Sequence, residues 1–298
     1  MRLIVVGASG FIGGHILRAA REAGVEALGT QSTARRQELA VFDLRRDRLE
    51  EKFGDACLDG QVHVIVAGAF SQIDRCLLEQ DTSHAVNVEG TIRLLRDAVS
   101  LGAIPVFLSS SFVFDGRRGH YGDHDAHSPI SEYGRQKAQV ERFVTQELPG
   151  ALVLRLDKTV GDDPAEKHLL SEWWDAVTKC RPIRCIQDQQ FSPTFVDDVA
   201  QGVVLACRQG LRGVLNLTNS ECFLRSELAE QFVAESGAVS EVVQMSQTDL
   251  GFVDLRPEKS SLDSSAFVRA TGLRFTPMHQ VVTSFLDKVR RPVPIRTA

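Results

Sequence analysis

Tyr133 and Lys137 stand four residues apart in a chain of 298. In a helix that spacing puts a phenol and an ammonium on one face. A phenol near its ordinary pKa of ~10 exchanges protons poorly at neutral pH, and a neighbouring cation lowers it towards useful acid chemistry. A second candidate is the hydroxyl run Ser109-Ser110-Ser111, which leads into Phe112-Val113-Phe114-Asp115-Gly116. A third is Gly7-Ala8-Ser9-Gly10-Phe11-Ile12-Gly13, which reads G-x-x-G-x-x-G. Glycines so spaced let the backbone turn tightly and approach a pyrophosphate, and the helix N-terminus that follows offers free N–H groups and a positive dipole end. Together these residues describe proton exchange beside a bound dinucleotide.

Such groups need elements that bring them to one place. Continuous apolar runs at 3–6, 26–30, 39–42, 62–67, 105–109 and 151–156 predict strands buried on both faces. Helical patterns at 11–23, 48–57, 83–101 and 132–148 fall between them. That alternation predicts an α/β fold, a Rossmann-like doubly wound parallel sheet. The glycine turn sits at its first strand–helix crossover, the hydroxyl run leaves its fifth strand at the carboxyl end, and Tyr133 and Lys137 ride the following helix. After about residue 156 the pattern weakens to helices at 165–179, 196–209, 226–236 and 278–289 among loops rich in Asp, Gln and Pro. We therefore expect a dinucleotide-binding domain over 1–155 and a smaller C-terminal α/β substrate lobe over 156–298, with segments near 194–217 packing back on the first. Ligands of open α/β sheets lie at the carboxyl ends of the strands, so the cleft is expected between the lobes. The stretch 290–298, with two prolines and three arginines, reads as a loose end.

Composition narrows the class further. Charged residues at 24% and hydrophobic ones at 43% describe an average globular chain, which excludes a disordered or fibrous one. No apolar run approaches the ~18 residues that span a bilayer, and the start lacks the apolar core of a signal peptide, so a cytoplasmic protein is expected. The net charge of −5 gives no electrostatic case for nucleic acid as a partner. Six cysteines form no C-x-x-C pair, and all are read as reduced and structural.

The cofactor's identity should be legible at the end of the second strand, where an acid would bind a ribose 2′-OH. Gly29-Thr30-Gln31-Ser32 offers none, and Ser32, Arg35 and Arg36 suit a 2′-phosphate. NADP is therefore expected over NAD, the alternative being that both arginines are solvated loop charges.

With these pieces in order the chain resembles the extended short-chain dehydrogenase/reductase family, over most of its length. The residues that carry the likeness are Gly7 to Gly13, Asp43-Leu44, Ala67-Gly68-Ala69, Asn87-Val88-Glu89-Gly90-Thr91, the serine segment, and Tyr133 with Lys137. Within the family it is most similar to the dTDP-4-dehydrorhamnose reductases, through Ile73-Asp74-Arg75-Cys76, Ser110 with Phe112 to Gly116, Ser192 to Ala200, Arg256-Pro257 and Leu262 to Ser265. The resemblance implies hydride transfer from a nicotinamide to the keto group of a nucleotide-activated deoxysugar. Tyr133 would protonate the oxygen, Ser110 would orient the carbonyl, and Lys137 would hold the ribose and lower the Tyr133 pKa. It implies cofactor contacts from Asp43, Leu44, Ala67, Gly68 and Ala69. Asp43 either meets the adenine amine or caps the helix after it. Asn87 either orders the catalytic helix or is a polar residue of an amphipathic one. Sugar-nucleotide epimerases and non-catalytic nucleotide-binding subunits share the pattern, and a homodimer stays open.

The chain also departs from its relatives. The reductases commonly carry Thr-Asp-Tyr where it has Ser110-Ser111-Phe112, and the related dehydratases carry acids there, so dehydration is not expected. Ser111, Phe112, Gln189, Phe191, Ser192 and Pro193 are expected substrate contacts. Arg256 pairs with either a diphosphate or a surface carboxylate. His120, His124 and His127, interspersed with Asp123 and Asp125, mimic a metal cluster, but a loop before the catalytic helix promises substrate contact or solvent exposure instead, and no metal is expected. Trp173 and Trp174 are divided between core and lobe surface, with stacking on a base as the alternative.

Overall fold

The computed structural model describes residues 1–57 and 61–290; the expected loose tail falls, beyond Arg290, outside the described residues. The first half runs β1 (Arg2–Val6), α1 (Phe11–Glu22), β2 (Glu26–Gln31), β3 (Ala40–Val41), α2 (Leu49–Cys57), β4 (Val62–Val66), α3 (Ile73–Leu78), α4 (Gln80–His84), α5 (Thr91–Ser100), β5 (Ile104–Ser110), α6 (Glu132–Glu147) and β6 (Leu152–Leu156). The second runs β7 (Thr159–Val160), α7 (Leu169–Thr178), β8 (Ile183–Ile186), β9 (Gln190–Phe191), β10 (Thr194–Phe195), α8 (Val196–Arg208), β11 (Gly213–Asn216), β12 (Phe223–Leu224), α9 (Arg225–Ser236), β13 (Val242–Met245), α10 (Ser265–Thr271) and α11 (Met278–Arg290).

Seven strands form one sheet in the order β11-β6-β5-β4-β1-β2-β3, all parallel. The order reverses between β1 and β4, the switch point at which such sheets bind ligands. The strands are apolar on both faces because both are covered. Ile16, Leu17 and Ala20 of α1, with Val199, Val203 and Val204 of α8, pack on one side. Phe53 of α2, Leu94 and Leu95 of α5, and Val140 and Val144 of α6 pack on the other. A separate core, including Leu169, Trp173, Phe232 and Phe285, joins α7, α9 and α11, and no described helix is long and apolar enough to cross a membrane.

Two local departures from expectation have physical causes. The helix expected over 83–101 is broken by a π-helical turn, Ala85–Gly90, which carries Asn87 into the interior. α3 is only six residues long, too short for a periodic signal. Trp173 is buried against Phe232, with ring centroids 5.7 Å apart, so it belongs to the core. All six cysteines are free; Cys57, Cys76, Cys185 and Cys207 are buried as structural residues would be, but Cys180 and Cys222 are exposed.

His63, in the middle strand β4, is 1% exposed, and among the described residues neither ring nitrogen has a hydrogen-bond partner. Burial, with smaller contributions from Arg212 and the terminal amine, pulls its pKa down to about 4. A folded-state value below the unfolded one means the neutral ring costs nothing above pH ~6.5, and stability is lost as the pH falls from there through ~4, by about 3 kcal/mol. His63→Leu is expected to flatten that acid limb in urea titrations run over the same range. Identical slopes for the two proteins would exonerate His63.

Candidate active site

A cavity of about 1060 Å³ follows the carboxyl ends of β1, β4, β5 and β6 and is closed by residues of the second half. At one end lies the glycine turn. Gly7 has φ +93°, and a Cβ there would sit 2.4 Å from the Gly68 nitrogen; a Cβ on Gly13 would sit 2.3 Å from the Gly7 oxygen. Any side chain would therefore push the turn off the end of β4. Gly10 precedes α1 without a side-chain cap, and Ser9, Gly10, Phe11, Ile12 and Gly13 all line the cavity. This is a cradle of backbone N–H groups fitted to a diphosphate, with a dipole of matching sign.

Ser32, Asp43, Leu44, Ala67, Gly68 and Ala69 continue the wall. Arg35 and Arg36 do not lie on it. The Gln31 side chain accepts both their N–H groups and donates to Arg36 O and Leu39 O, curling the loop so that both arginines are exposed elsewhere. Arg45 and Arg46 line the cavity in their place. Asp43 does not cap α2: its carboxylate accepts from Arg45 Nε at 3.1 Å and Nη2 at 2.9 Å, and Arg45 holds its pKa down. The first N–H of α2, on Leu49, goes to Asp97 instead.

At the other end Ser110, Tyr133 and Lys137 meet on the same cavity. Ser110 closes β5, and its hydroxyl accepts the Phe112 N–H at 3.3 Å, starting the short 3-10 turn Ser111–Val113. Ser131 caps α6 by accepting from Gly134 at 3.1 Å. The 3-10 turn packs so closely on α6 that a Cβ on Gly134 would sit 2.0 Å from the Phe112 oxygen. This glycine, next to Tyr133, is what lets serine and tyrosine approach. Lys137 Nζ donates to Leu108 O at 2.8 Å and lies 5.7 Å from the centre of the Tyr133 ring. Burial pulls the lysine down to about 8. Burial also pushes the Tyr133 phenol up, Cys76 adds to this, and a hydrogen bond with Ser110 only partly offsets it. The expected lowering of the phenol by Lys137 is therefore not found in the protein alone; the site keeps a neutral phenol, the form that donates a proton.

Asn87 ties this region together. It accepts the Phe70 N–H at 2.7 Å and donates to Phe70 O and to Gln136 Oε1, each at 2.8 Å, so it orders α6 through a direct side-chain bond.

Of the expected substrate contacts, Ser111, Phe112, Gln189, Phe191 and Arg256 line the cavity, and Ser192 and Pro193 do not. The Ser192 N–H instead donates to Asp157 at 2.7 Å. Arg256 is paired with Asp74 at 2.6 Å and stacked over Phe252 at 3.9 Å, so it takes a carboxylate of the chain itself. None of His120, His124 and His127 lines this cavity. The reason is that their loop packs elsewhere: His127 bonds the buried Glu141 at 2.8 Å, and the backbone of His120 is held by Ser261.

Among the charged residues on the substrate side of this wall that sequence reasoning missed are Asp157, Lys158, Lys167, Glu172 and Arg225. Asp157 accepts hydroxyls from Ser111 at 2.8 Å and Ser260 at 2.9 Å besides the Ser192 N–H, and burial raises its pKa to about 6. The signal for two of them was available, since Asp157 and Lys158 immediately follow the carboxyl end of the sixth strand, where ligand contacts concentrate.

The fold is that of the extended short-chain dehydrogenases/reductases. Residues 1–291 match the RmlD substrate binding domain, and the chain belongs to that family. It is 28% identical over 285 residues to methionine adenosyltransferase 2 subunit beta of Danio rerio, covering 89% of this chain and 83% of that one. It is 27% identical over 243 residues to dTDP-4-dehydrorhamnose reductase of Mycobacterium tuberculosis, covering 80% and 76%. Among solved structures, the dTDP-4-dehydrorhamnose reductase of Bacillus anthracis in complex with NADP superposes with a TM-score of 0.84 at 19% identity, over 96% of this chain and 99% of that one. The UDP-glucose 4-epimerase of Thermus thermophilus in complex with NAD gives 0.80 at 22% identity, over 98% and 100%.

Proposed function

We propose that the protein is an NADPH-dependent reductase that transfers hydride to the keto group of a nucleotide-activated sugar. The observation behind this reading is that Ser110, Tyr133 and Lys137 share one cavity with the glycine cradle. The likeness to the mycobacterial reductase supports it. A bound nicotinamide would supply the hydride. Gly7 to Gly13 would hold the diphosphate of the cofactor, and Ser32 with Arg45 and Arg46, through the N–H groups that Asp43 leaves unused, its 2′-phosphate. Tyr133 gives its proton to the ketone oxygen as charge develops there, Ser110 donates a hydrogen bond to that oxygen, and Lys137 holds the ribose and keeps a positive charge beside the phenol.

The test is to mix the protein with NADPH or NADH and a panel of 4-keto nucleotide sugars and follow cofactor absorbance. Stoichiometric oxidation, faster with NADPH, is expected. Sugar conversion without net oxidation would make it an epimerase. Nucleotide binding with neither reaction would favour a non-catalytic subunit, the reading suggested by its similarity to methionine adenosyltransferase 2 subunit beta.

A further inference from the structure

Besides Arg256, three cations on the cavity have no part in that reaction: Lys167, which is exposed, and Lys158 and Arg225, which lie deeper. Lys158 lies two residues past the end of β6 and Arg225 opens α9. Among the described residues, Lys158 Nζ has no hydrogen bond and no carboxylate within 4.0 Å. Arg225 donates Nη1 to Gln189 Oε1 at 3.0 Å and, among the described residues, has no carboxylate within 4.0 Å and no partner for its buried Nε. The nearby acids offset this charge only from beyond contact distance, Glu172 acting on both cations and Asp157 on Lys158. Asp157 is occupied by two serine hydroxyls and the Ser192 N–H, and Glu172, although on the same wall, forms no ion pair with either cation. Burial lowers the pKa of both cations, and Arg225 lowers that of Lys158 further. Both side chains are half-buried, and charges drawn partly out of water without a contacting partner are costly, so a pair kept this way inside a ligand cavity calls for an anion from the ligand.

We propose that Lys158 and Arg225 form a subsite for a carboxylate on the sugar ring itself, so that the substrate is an acidic nucleotide sugar. Position favours the sugar over its diphosphate. Lys158 adjoins Asp157, which is bonded to Ser111, the neighbour of Ser110, so its backbone is tied to the end of the cavity where the ketone reacts. The inference rests on the reductase reading for its ligand class and goes beyond it in naming the charge on the sugar.

Calorimetry with NADP present would compare UDP-glucose with UDP-glucuronate, and dTDP-glucose with dTDP-glucuronate. The acidic member of a pair is expected to bind roughly tenfold more tightly, as one charge-assisted contact predicts. That ratio should fall towards one in Lys158→Met and in Arg225→Met, and Lys158→Arg should restore part of it. A ratio near one in the wild-type protein overturns the proposal whether or not the methionine variants fold. So does a ratio that survives both substitutions, because the cations would then hold the diphosphate common to all four probes. Failure of all four to bind overturns the nucleotide-sugar reading as well. A preference for the acidic probes without NADPH oxidation by any keto sugar overturns the reductase reading alone.

Discussion

Tyr133→Phe is expected to lower kcat by roughly 10²–10⁴-fold, the range for a positioned acid, with a smaller change in KM. The substitution removes one oxygen and keeps the ring that meets Phe112 edge-on at 5.9 Å. Packing is thus retained while the proton is lost. Retention of full activity would remove Tyr133 from the chemistry. The pH profile sharpens the test. The phenol is raised by burial, and Lys137 is pulled down to about 8, so the lysine reaches its titration first as pH rises. In the wild-type protein kcat/KM, which reports the free enzyme, should therefore fall on the basic side near pH ~8 as the ammonium is lost. A basic limb displaced to the ordinary phenol value of ~10 would show that Lys137 titrates without affecting the reaction.

Glu141→Ala should cost about 3–5 kcal/mol of stability, read from the midpoint of urea unfolding. Glu141 is fully buried on α6 and faces Arg155 of β6, itself 2% exposed. The carboxylate accepts from Arg155 Nη2 at 2.7 Å and Nε at 3.0 Å, and from His127 at 2.8 Å. Truncation leaves a guanidinium in the interior with its strongest partners gone, and that uncompensated charge is the source of the effect. The paired replacement Glu141→Leu with Arg155→Met removes both charges and should recover most of the loss. A single-site cost below about 1 kcal/mol would mean that water reaches Arg155 once the carboxylate is removed. Because α6 also carries Tyr133 and Lys137, this pair anchors the helix that presents the proposed acid.

What was legible in the chain depended on how local its cause was. The sequence β1, glycine turn, α1 is written in consecutive residues: four apolar positions, glycines that exclude a Cβ, and an amphipathic helix. Tyr133 and Lys137 were likewise readable, because their relation is one helical turn. Arg45 and Arg46, which line the cavity, were not. Arg35 and Arg36 follow β2 as expected, but the Gln31 amide folds their loop aside, a bond that no spacing rule announces. The substrate wall was least legible. Asp157, Lys158, Glu172 and Arg225 come from a strand end and two helices far apart in the chain, and strands such as β9 and β12 are two residues long. The glycine that matters most to the catalytic approach, Gly134, looks from the sequence like a weakness in a helix, and its purpose is visible only beside the Phe112 carbonyl.

The placement of β11 bears on how the protein comes into being. Its hydrogen-bonded partner is β6, so the outermost strand of the large sheet is supplied from the second half of the chain, and α8 just before it covers a face of that sheet against α1. A nascent chain that has reached only Leu156 therefore has an unpaired β6 edge and an uncovered apolar face. The face stays open until α8 is made, at Arg208, and the edge until β11 is made, at Asn216, and a parallel edge left open during synthesis is prone to join the wrong neighbour. The ribosome must deliver nearly three-quarters of the chain, through Asn216 of 298 residues, before the large sheet can close.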